Sequence, residues 1–268
     1  MMLKSIVVGA SGRMGNRIIH AINETGGIDL IAGVEFKGHP AIGRDAGELV
    51  GLGKLNIDIK DNLKEVIHLG DVIIDFTNNT ASMNHLKIAA ENNVPIVIGS
   101  TGFSSQQIEE VRELSKNTRC VISPNMSVGV NLLFKIIQNI GEVLKDDYDI
   151  EIIEAHHRFK KDSPSGTAMK IAQILAETLK RDINTVGVYG RKGNIGERTQ
   201  QEIGIQAVRA GDIVGEHTVI FGGLGERLEV THRAHSREGF ARGAVKAAKW
   251  VVHKENGLYD MQDVMELR

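Results

Sequence analysis

The chain has one cysteine, Cys120, among 268 residues, so an internal disulfide framework is excluded. Cys120 lies in the apolar run RCVIS, where a small buried side chain is expected, and a lone thiol fits a reducing compartment. Charge of one sign is also missing: 32 basic against 34 acidic residues leave a formal net of -2. Broad electrostatic capture of nucleic acid or an anionic membrane is therefore not expected, and any recognition of anions has to be local. No run approaches the apolar length of a membrane span, and the first residues are too short and mixed for a signal peptide. A soluble, cytoplasmic protein is expected. Only 4 prolines against 30 glycines suggest many tight turns in an otherwise regular fold, and there is no internal repeat or low-complexity tract.

What is present alternates. SIVVGA, IDLIAGVE, DVIIDFT, VPIVIGS and RCVIS read as buried strands. GNRIIHAINET, SMNHLKIAAENN and SSQQIEEVRELSKN read as helices between them. Short β-branched runs separated by helices predict βαβ units, a parallel sheet and right-handed crossovers. After about Asn125 the pattern changes to a long helix (VNLLFKIIQNIGEVLKD), a strand (YDIEIIEAHH) and a helix (SGTAMKIAQILAETLKRD) that Ser165 or Thr167 can cap. From Glu202 to Ala234 three alternating segments, divided by glycine turns, suggest antiparallel strands. GFARGAVKAAKWVVHKE closes the pattern as a helix, and LKRDINTVGVYGRKGNIGERTQQE looks like a polar excursion. The fold class expected is α/β: a Rossmann-like doubly wound parallel sheet followed by a mixed α+β domain.

Gly9, Ala10, Ser11, Gly12, Arg13, Met14 and Gly15 join the first strand to the first helix. Glycines there let phosphate oxygens approach the backbone, and the N–H groups of the helix start can hold a pyrophosphate. Glu35 ends the second strand 20 residues after Gly15, where an acid accepts hydrogen bonds from ribose hydroxyls. The spacing G-x-x-G-x-x-G is a variant of the commoner dinucleotide fingerprint, and glycines needed only for packing are the alternative. Glu35 repels a 2′-phosphate and so favours NADH over NADPH. Lys37 could offset that repulsion, whereas Phe36 cannot supply the contact an arginine would. Gly99, Ser100 and Thr101, and Ser123, Pro124, Asn125 and Met126, follow later strands and fall at the carboxyl edge of the sheet.

The stretch EAHHRFKKDSPSGTA, Glu154 to Ala168, concentrates basic charge before a turn into a helix. His156 and His157 are adjacent, so on a strand they face opposite ways and do not readily share a metal ion. Without aromatic interleaving or a second basic cluster, nucleic acid is not indicated. A solvated loop remains an alternative. The reading preferred is a pocket for a dianion. Ser165, Gly166 and Thr167 offer amides and hydroxyls at a helix start, Lys160 a mobile ammonium, and a histidine a proton near neutral pH.

That stretch resembles the signature of the 4-hydroxy-tetrahydrodipicolinate reductase (dihydrodipicolinate reductase) family, E-x-H-H-x-x-K-x-D-x-P-S-G-T-A. VVGASGRMG, VIGSTGF, PNMSVGVN, VRAGDIVGEHTV and GERLEVTHRAHSREGFARGA also look like family segments, in family order. The resemblance implies NADH- or NADPH-dependent reduction of a cyclic dicarboxylate imine to tetrahydrodipicolinate, in diaminopimelate and lysine biosynthesis. It implies His156 as general acid/base, Lys160 as second proton donor or its orienter, and His157 with Ser165, Gly166 and Thr167 as holders of the substrate carboxylates. Residues 9–14, Glu35, 99–101 and 123–126 then match cofactor-binding segments, with Arg237 and Phe240 near the adenosine end. No metal is implied. The family fold implies a dinucleotide domain of residues 1–127 and 237–268, a substrate and tetramerisation domain of residues 128–236, and a homotetramer. Two positions depart from the family pattern: Phe36 stands where many members carry a basic residue, and Phe159 where histidine is frequent. Another two-domain dehydrogenase, or a dinucleotide sensor without turnover, would share the glycine loop but not call for the basic stretch.

Overall fold

Apolar β-branched runs fix the first sheet. A computed structural model describes residues 2–268, which form two units: residues up to Val128 together with Arg237–Arg268, and Gly129–Ser236. In the first unit the strands are β1 (Leu3–Val8), β2 (Ile28–Val34), β3 (Ile59–Lys60), β4 (Val72–Asp75), β5 (Ile96–Ile98), β6 (Arg119–Ile122) and β12 (Gly257–Tyr259). They build a 7-stranded sheet in the order β12-β6-β5-β4-β1-β2-β3, parallel throughout. Both faces are covered, so successive residues of one strand serve different cores. Val7, Ile74, Val97 and Val121 pack with the helices Arg13–Glu24 and Glu238–Val251. Ile6, Val8, Ile73, Ile96, Ile98 and Cys120 pack on the other face with Leu86, Ala89 and Val111. Gly243 shows how closely the Glu238–Val251 helix approaches: a Cβ there would lie 1.8 Å from the Met126 carbonyl oxygen. The chain lays β2 and β3 to one side of β1 and β4, β5 and β6 to the other. The order therefore reverses between β1 and β4, where open α/β sheets bind ligands at their carboxyl ends.

The second unit has β7 (Asp149–His156), β8 (Gly187–Val188), β9 (Ile203–Arg209), β10 (Gly215–Gly222) and β11 (Arg227–Ala234), in the order β11-β10-β7-β9-β8. The helices Val128–Leu144 and Gly166–Thr178 bury Leu133, Ile137, Ile171 and Leu175 against Ile150, Ile152, Ile205, Val219 and Phe221. The opposite face is open and leaves Ile153 38% and Val208 44% exposed.

One expectation is corrected here. The three segments between Glu202 and Ala234 are not mutually antiparallel. Only β10 and β11 form an antiparallel hairpin; β9 runs parallel to β7 and does not touch β10. The Gly166–Thr178 helix carries the chain back across the sheet, so β9 starts from the same end as β7, as a crossover requires. β7 thus sits between β9 and β10, and the glycine turn between them is a connection over β7. The polar excursion is exposed, as expected, but anchored. Arg191 donates to both oxygens of Glu151 at 2.9 and 2.8 Å and to Glu202 at 3.0 Å, and Arg198 reaches Asp149 at 2.6 Å.

Candidate functional site

In the first unit the glycine loop leaves β1 with Gly9 at φ +73°, a conformation that favours glycine. The Gly9 amide donates to the Val34 carbonyl at 2.8 Å, which pins the loop beside the end of β2. Gly15 must lack a side chain, because a Cβ there would lie 2.1 Å from the Gly9 oxygen. Gly12 caps the Arg13–Glu24 helix with no side-chain hydrogen bond, so no side chain competes for the first amides. Glu35 is 8% exposed and accepts from Ser11 twice through one oxygen: from N–H at 2.9 Å and from Oγ at 2.7 Å. The amide of Ser11 is thereby turned toward an acid.

Gly99, Ser100 and Thr101 follow β5, and Ser123, Pro124, Asn125 and Met126 follow β6, at the same carboxyl edge as the loop. Their roles differ. Met126 is 1% exposed and belongs to the core; Ser100 is buried with its Oγ 2.8 Å from Ser82 Oγ. Thr101, Pro124, Arg13 and Arg237 are exposed, and Ala10 is buried beneath the loop. A cavity of about 260 Å³ opens at this edge, lined by Gly9, Glu35, Phe36, Thr77, Asn78 and His85. Thr77, Asn78 and His85 are absent from the sequence-based set. Their signal was Asp75, an acid closing the apolar strand VIID. It is fully buried, accepts from Thr77 N–H at 2.8 Å and Oγ1 at 2.7 Å, and lies 2.8 Å from His85 Nδ1. A larger cavity of about 530 Å³ lies at the amino ends of the strands, lined by Leu3, Pro95 and Arg119, away from the edge where such sheets bind ligands.

In the second unit, β7 alternates. Ile150, Ile152, Glu154 and His156 point inward, and the strand ends in the basic stretch. Glu154 has no solvent exposure. Its Oε2 lies 2.5 Å from His156 Nδ1 and accepts from Arg209 Nη1 at 2.8 Å; its Oε1 accepts from Arg209 Nη2 at 2.8 Å and from the Ser165 amide at 3.0 Å. Burial alone would raise the Glu154 carboxyl, but Arg209, His156 and the Ser165 amide together hold it below the usual carboxylate range. Burial pulls His156 below the ordinary imidazole value, and Glu154 offsets part of that fall. His217, on β10, has its ring 5.3 Å from His156 and its Nε2 3.1 Å from Ser165 Oγ; burial takes it down to about 3, so it is neutral near pH 7.

His156, His157, Lys160, Ser165, Gly166 and Thr167 therefore gather at the end of β7 and the start of the Gly166–Thr178 helix. Lys160 Nζ lies 2.9 Å from Asp162 Oδ1, which holds that carboxyl below its ordinary value. His157 is half-buried, and its Nδ1 is buried without a hydrogen-bond partner. Ser165 is 2% exposed and its Oγ accepts from the Ala168 amide at 3.2 Å. Its hydroxyl is thus engaged in the cap and with His217, while Gly166 is exposed. Glu154, Arg209 and His217 are not in the sequence-based set. The stretches EAHHRFKKDSPSGTA and VRAGDIVGEHTV, which carry the resemblance, contain them, and an acid at an inward position of β7 was a further signal.

Family models described as dihydrodipicolinate reductase, N-terminus, and dihydrodipicolinate reductase, C-terminus, match residues 3–126 and 129–265. Among curated relatives, the chain is 60% identical over 267 residues to the 4-hydroxy-tetrahydrodipicolinate reductase of Syntrophus aciditrophicus, covering 100% of both chains. It is 53% identical to that of Geotalea uraniireducens, again over 100% of both. Among solved structures, dipicolinate-bound dihydrodipicolinate reductase from Paenisporosarcina sp. TG-14 superposes with a TM-score of 0.77 at 25% identity, over 98% of this chain and 99% of that one. An amine dehydrogenase from Mycobacterium smegmatis shares the fold at a TM-score of 0.58 and 15% identity, over 96% of this chain and 94% of that one.

Proposed function

Since the chain belongs to the dihydrodipicolinate reductase family, a nicotinamide-dependent oxidoreductase of lysine and diaminopimelate biosynthesis, we propose how its residues divide that reduction. The first unit is the dinucleotide domain. The carrying observation is the buried Glu35 carboxylate beside a glycine loop that a single Cβ at Gly15 would fill. Ribose hydroxyls would donate to Glu35; the Arg13 and Met14 amides at the helix start would meet the pyrophosphate; Gly99, Thr101, Ser123, Pro124 and Asn125 would line the nicotinamide end, and Arg237 the adenosine end. The bound dinucleotide supplies a hydride to a ring carbon of the substrate.

The second unit holds the substrate, 4-hydroxy-tetrahydrodipicolinate, by its two carboxylates. Gly166 and Thr167 present amides and a hydroxyl at the helix start, Ser165 shapes the turn, His157 donates through its ring and Lys160 adds positive charge. After the substrate hydroxyl leaves as water, the ring gains the hydride and one proton, and His156 delivers that proton. A coupled assay tests the reading. Pyruvate and aspartate semialdehyde are condensed, and the absorbance of NADH and of NADPH is followed separately. Oxidation dependent on the condensation product is expected; binding of NADH with no turnover on that product would overturn it.

NADH is the preferred donor. Glu35 opposes a 2′-phosphate, and the neighbouring Phe36, 70% exposed, offers it no charge. Phe36→Arg is expected to improve kcat/KM for NADPH about tenfold, the effect of one charge-assisted hydrogen bond, with a smaller change for NADH. Initial rates at limiting dinucleotide measure it, and an unchanged NADPH/NADH ratio would place the discrimination elsewhere.

A homotetramer is built on the open face of the second sheet, which exposes Ile153 and Val208. Light scattering is expected to give four times the 29.2 kDa chain mass. Ile153→Asp puts a charge in that face and should lower the mass. A tetramer that persists in the variant would move the interface to another surface.

A further inference from the structure

We infer that Glu154, clamped by Arg209, is a positioning residue for the reduction: it fixes the tautomer and ring plane of His156, so that the exchangeable proton is carried at Nε2. The inference rests on the reading of His156 as proton donor.

The geometry leaves Glu154 one arrangement. Both oxygens are engaged, by two guanidinium N–H groups, one backbone amide and one imidazole nitrogen, and no part of the residue reaches solvent. A carboxylate kept ionised by those donors can face His156 Nδ1 at 2.5 Å only if that nitrogen carries a hydrogen. A bare nitrogen would set two lone pairs against each other. In neutral His156 the hydrogen therefore sits on Nδ1, and Nε2 is the atom that takes up and releases the second proton. On that side stands Gly215, whose missing side chain leaves room: a Cβ there would lie 3.0 Å from His156 Nε2. A buried acid that orients an imidazole in this way is the role of the aspartate in serine-protease triads.

The same carboxylate ties together the other proposed substrate contacts. Through Oε1 it holds the Ser165 amide at the turn, and Ser165 starts the Gly166–Thr178 helix. Arg209, besides gripping Glu154, donates to the Asp162 carbonyl at 2.7 Å, and the Asp162 carboxylate lies 2.9 Å from Lys160. His156, Lys160 and the carboxylate-binding turn are thus linked through one buried ion pair. Such a pair adds little net stability compared with apolar packing, so its value here lies in placement.

The groups that act on His156 come from three strands and a loop: Glu154 on its own strand, Arg209 on β9, His217 on β10 and Lys160 from the loop, with His232 on β11 paired to His217 and Asp162 to Lys160. Lys160 and Arg209 disfavour the imidazolium, and Glu154 is the group that favours it. His217 and His232 both lie below the ordinary imidazole value because they are buried, and add no opposing charge near neutral pH. Removing the Glu154 charge therefore lowers the His156 value further.

Nitrogen-15 NMR of the imidazoles in the full-length wild-type chain, titrated through neutrality, reads the tautomer directly. Neutral His156 should carry hydrogen on Nδ1; an Nε2–H form would overturn the proposal. Glu154→Gln should lower kcat about 10- to 100-fold, as loss of an orienting partner does, with KM for the dicarboxylate changed less than about threefold. The fall of kcat with rising pH should begin at lower pH, and Glu154→Asp should bring it back toward the wild-type position. An unmoved pH profile with full turnover would sink the idea. If Glu154→Gln does not fold, Arg209→Lys, which keeps both charges but loses the paired contacts that hold the carboxylate in place, should lower kcat about tenfold with no acid-ward shift of the pH profile, and full turnover in that variant would equally sink the idea. His156→Gln separates the two levels. Turnover that survives it removes the proton-donor reading itself, whereas loss of turnover there with an unaffected Glu154→Gln removes only the positioning role.

Discussion

His156→Gln is expected to lower kcat about 10²- to 10⁴-fold, the range that a placed general acid supplies. NADH affinity should stay within about twofold, because a general acid acts in the transition state and not in cofactor binding. The argument starts from what hydride addition requires. A hydride arriving at a ring carbon leaves an electron-rich ring that must gain a proton, and a dicarboxylate pocket is a poor place to find one. Its own anions disfavour free acids, and a lysine ammonium is a weaker acid than imidazolium. His156 is 8% exposed with its Nδ1 against Glu154, so its Nε2 is the titrating atom. Glutamine keeps a polar group of similar reach but neither takes up nor releases a proton near neutral pH. Steady-state rates at saturating substrate measure the loss, and fluorescence titration with NADH checks that the first unit is undisturbed. A drop of less than about tenfold would shift the proton to Lys160 or to water. The pH dependence sharpens the test. The wild-type rate should fall as pH rises through the His156 value, which burial sets below the ordinary imidazole one. The variant should have lost that limb.

Much of the first unit was legible in the sequence because its signals are local. Buried parallel strands read as unbroken apolar runs, and Val72–Asp75, Ile96–Ile98 and Arg119–Ile122 each sit inside one. The glycine loop and Glu35 were legible for the same reason: their spacing along the chain is their geometry. The strands β3, β8 and β12, two or three residues long, carry no periodicity of their own and exist because a neighbour offers a free edge. The direction of β9 is likewise set by where a helix returns the chain, and alternation alone cannot tell parallel from antiparallel. The basic stretch announced a site but not how it is organised. Arg209 lies 55 residues after Glu154, and His217 lies 52 after Ser165, so the contacts that set the imidazole and the turn are purely tertiary. Ser165 shows the consequence. Read from sequence it is a helix cap or a ligand hydroxyl; in the fold that hydroxyl caps the helix and also meets His217, which the sequence did not join to it.

Arg209→Met is expected to destabilise the chain by about 3 kcal/mol at pH 7, the lower end of the cost of stranding one partner of a buried ion pair. The lower end applies because the Arg209 side chain keeps 20% of its surface in solvent, while that of Glu154 keeps none. Methionine replaces the aliphatic stem, so the loss is electrostatic and not a cavity. The pH dependence gives the sign. In the wild type the folded Glu154 carboxyl lies below its ordinary value of 4.5, so its contribution is present above that value and lost as pH falls through the folded one. Burial is already the largest single influence on that carboxyl; without Arg209 it loses its main offset and pushes the folded carboxyl up. The penalty should then shrink as the medium is acidified, because a protonated Glu154 no longer carries a stranded charge. Urea melts of both proteins between pH 7 and pH 5 measure this, and a penalty independent of pH would mean that Arg209 acts through packing. Glu154→Gln combined with Arg209→Met removes both charges and should recover most of the lost stability, since a buried pair contributes little beyond satisfying its own members. Turnover should not recover with it. A stable double variant with a mispoised His156 would place the value of the pair in the chemistry of the site, and recovery of both stability and turnover would place it in the fold alone.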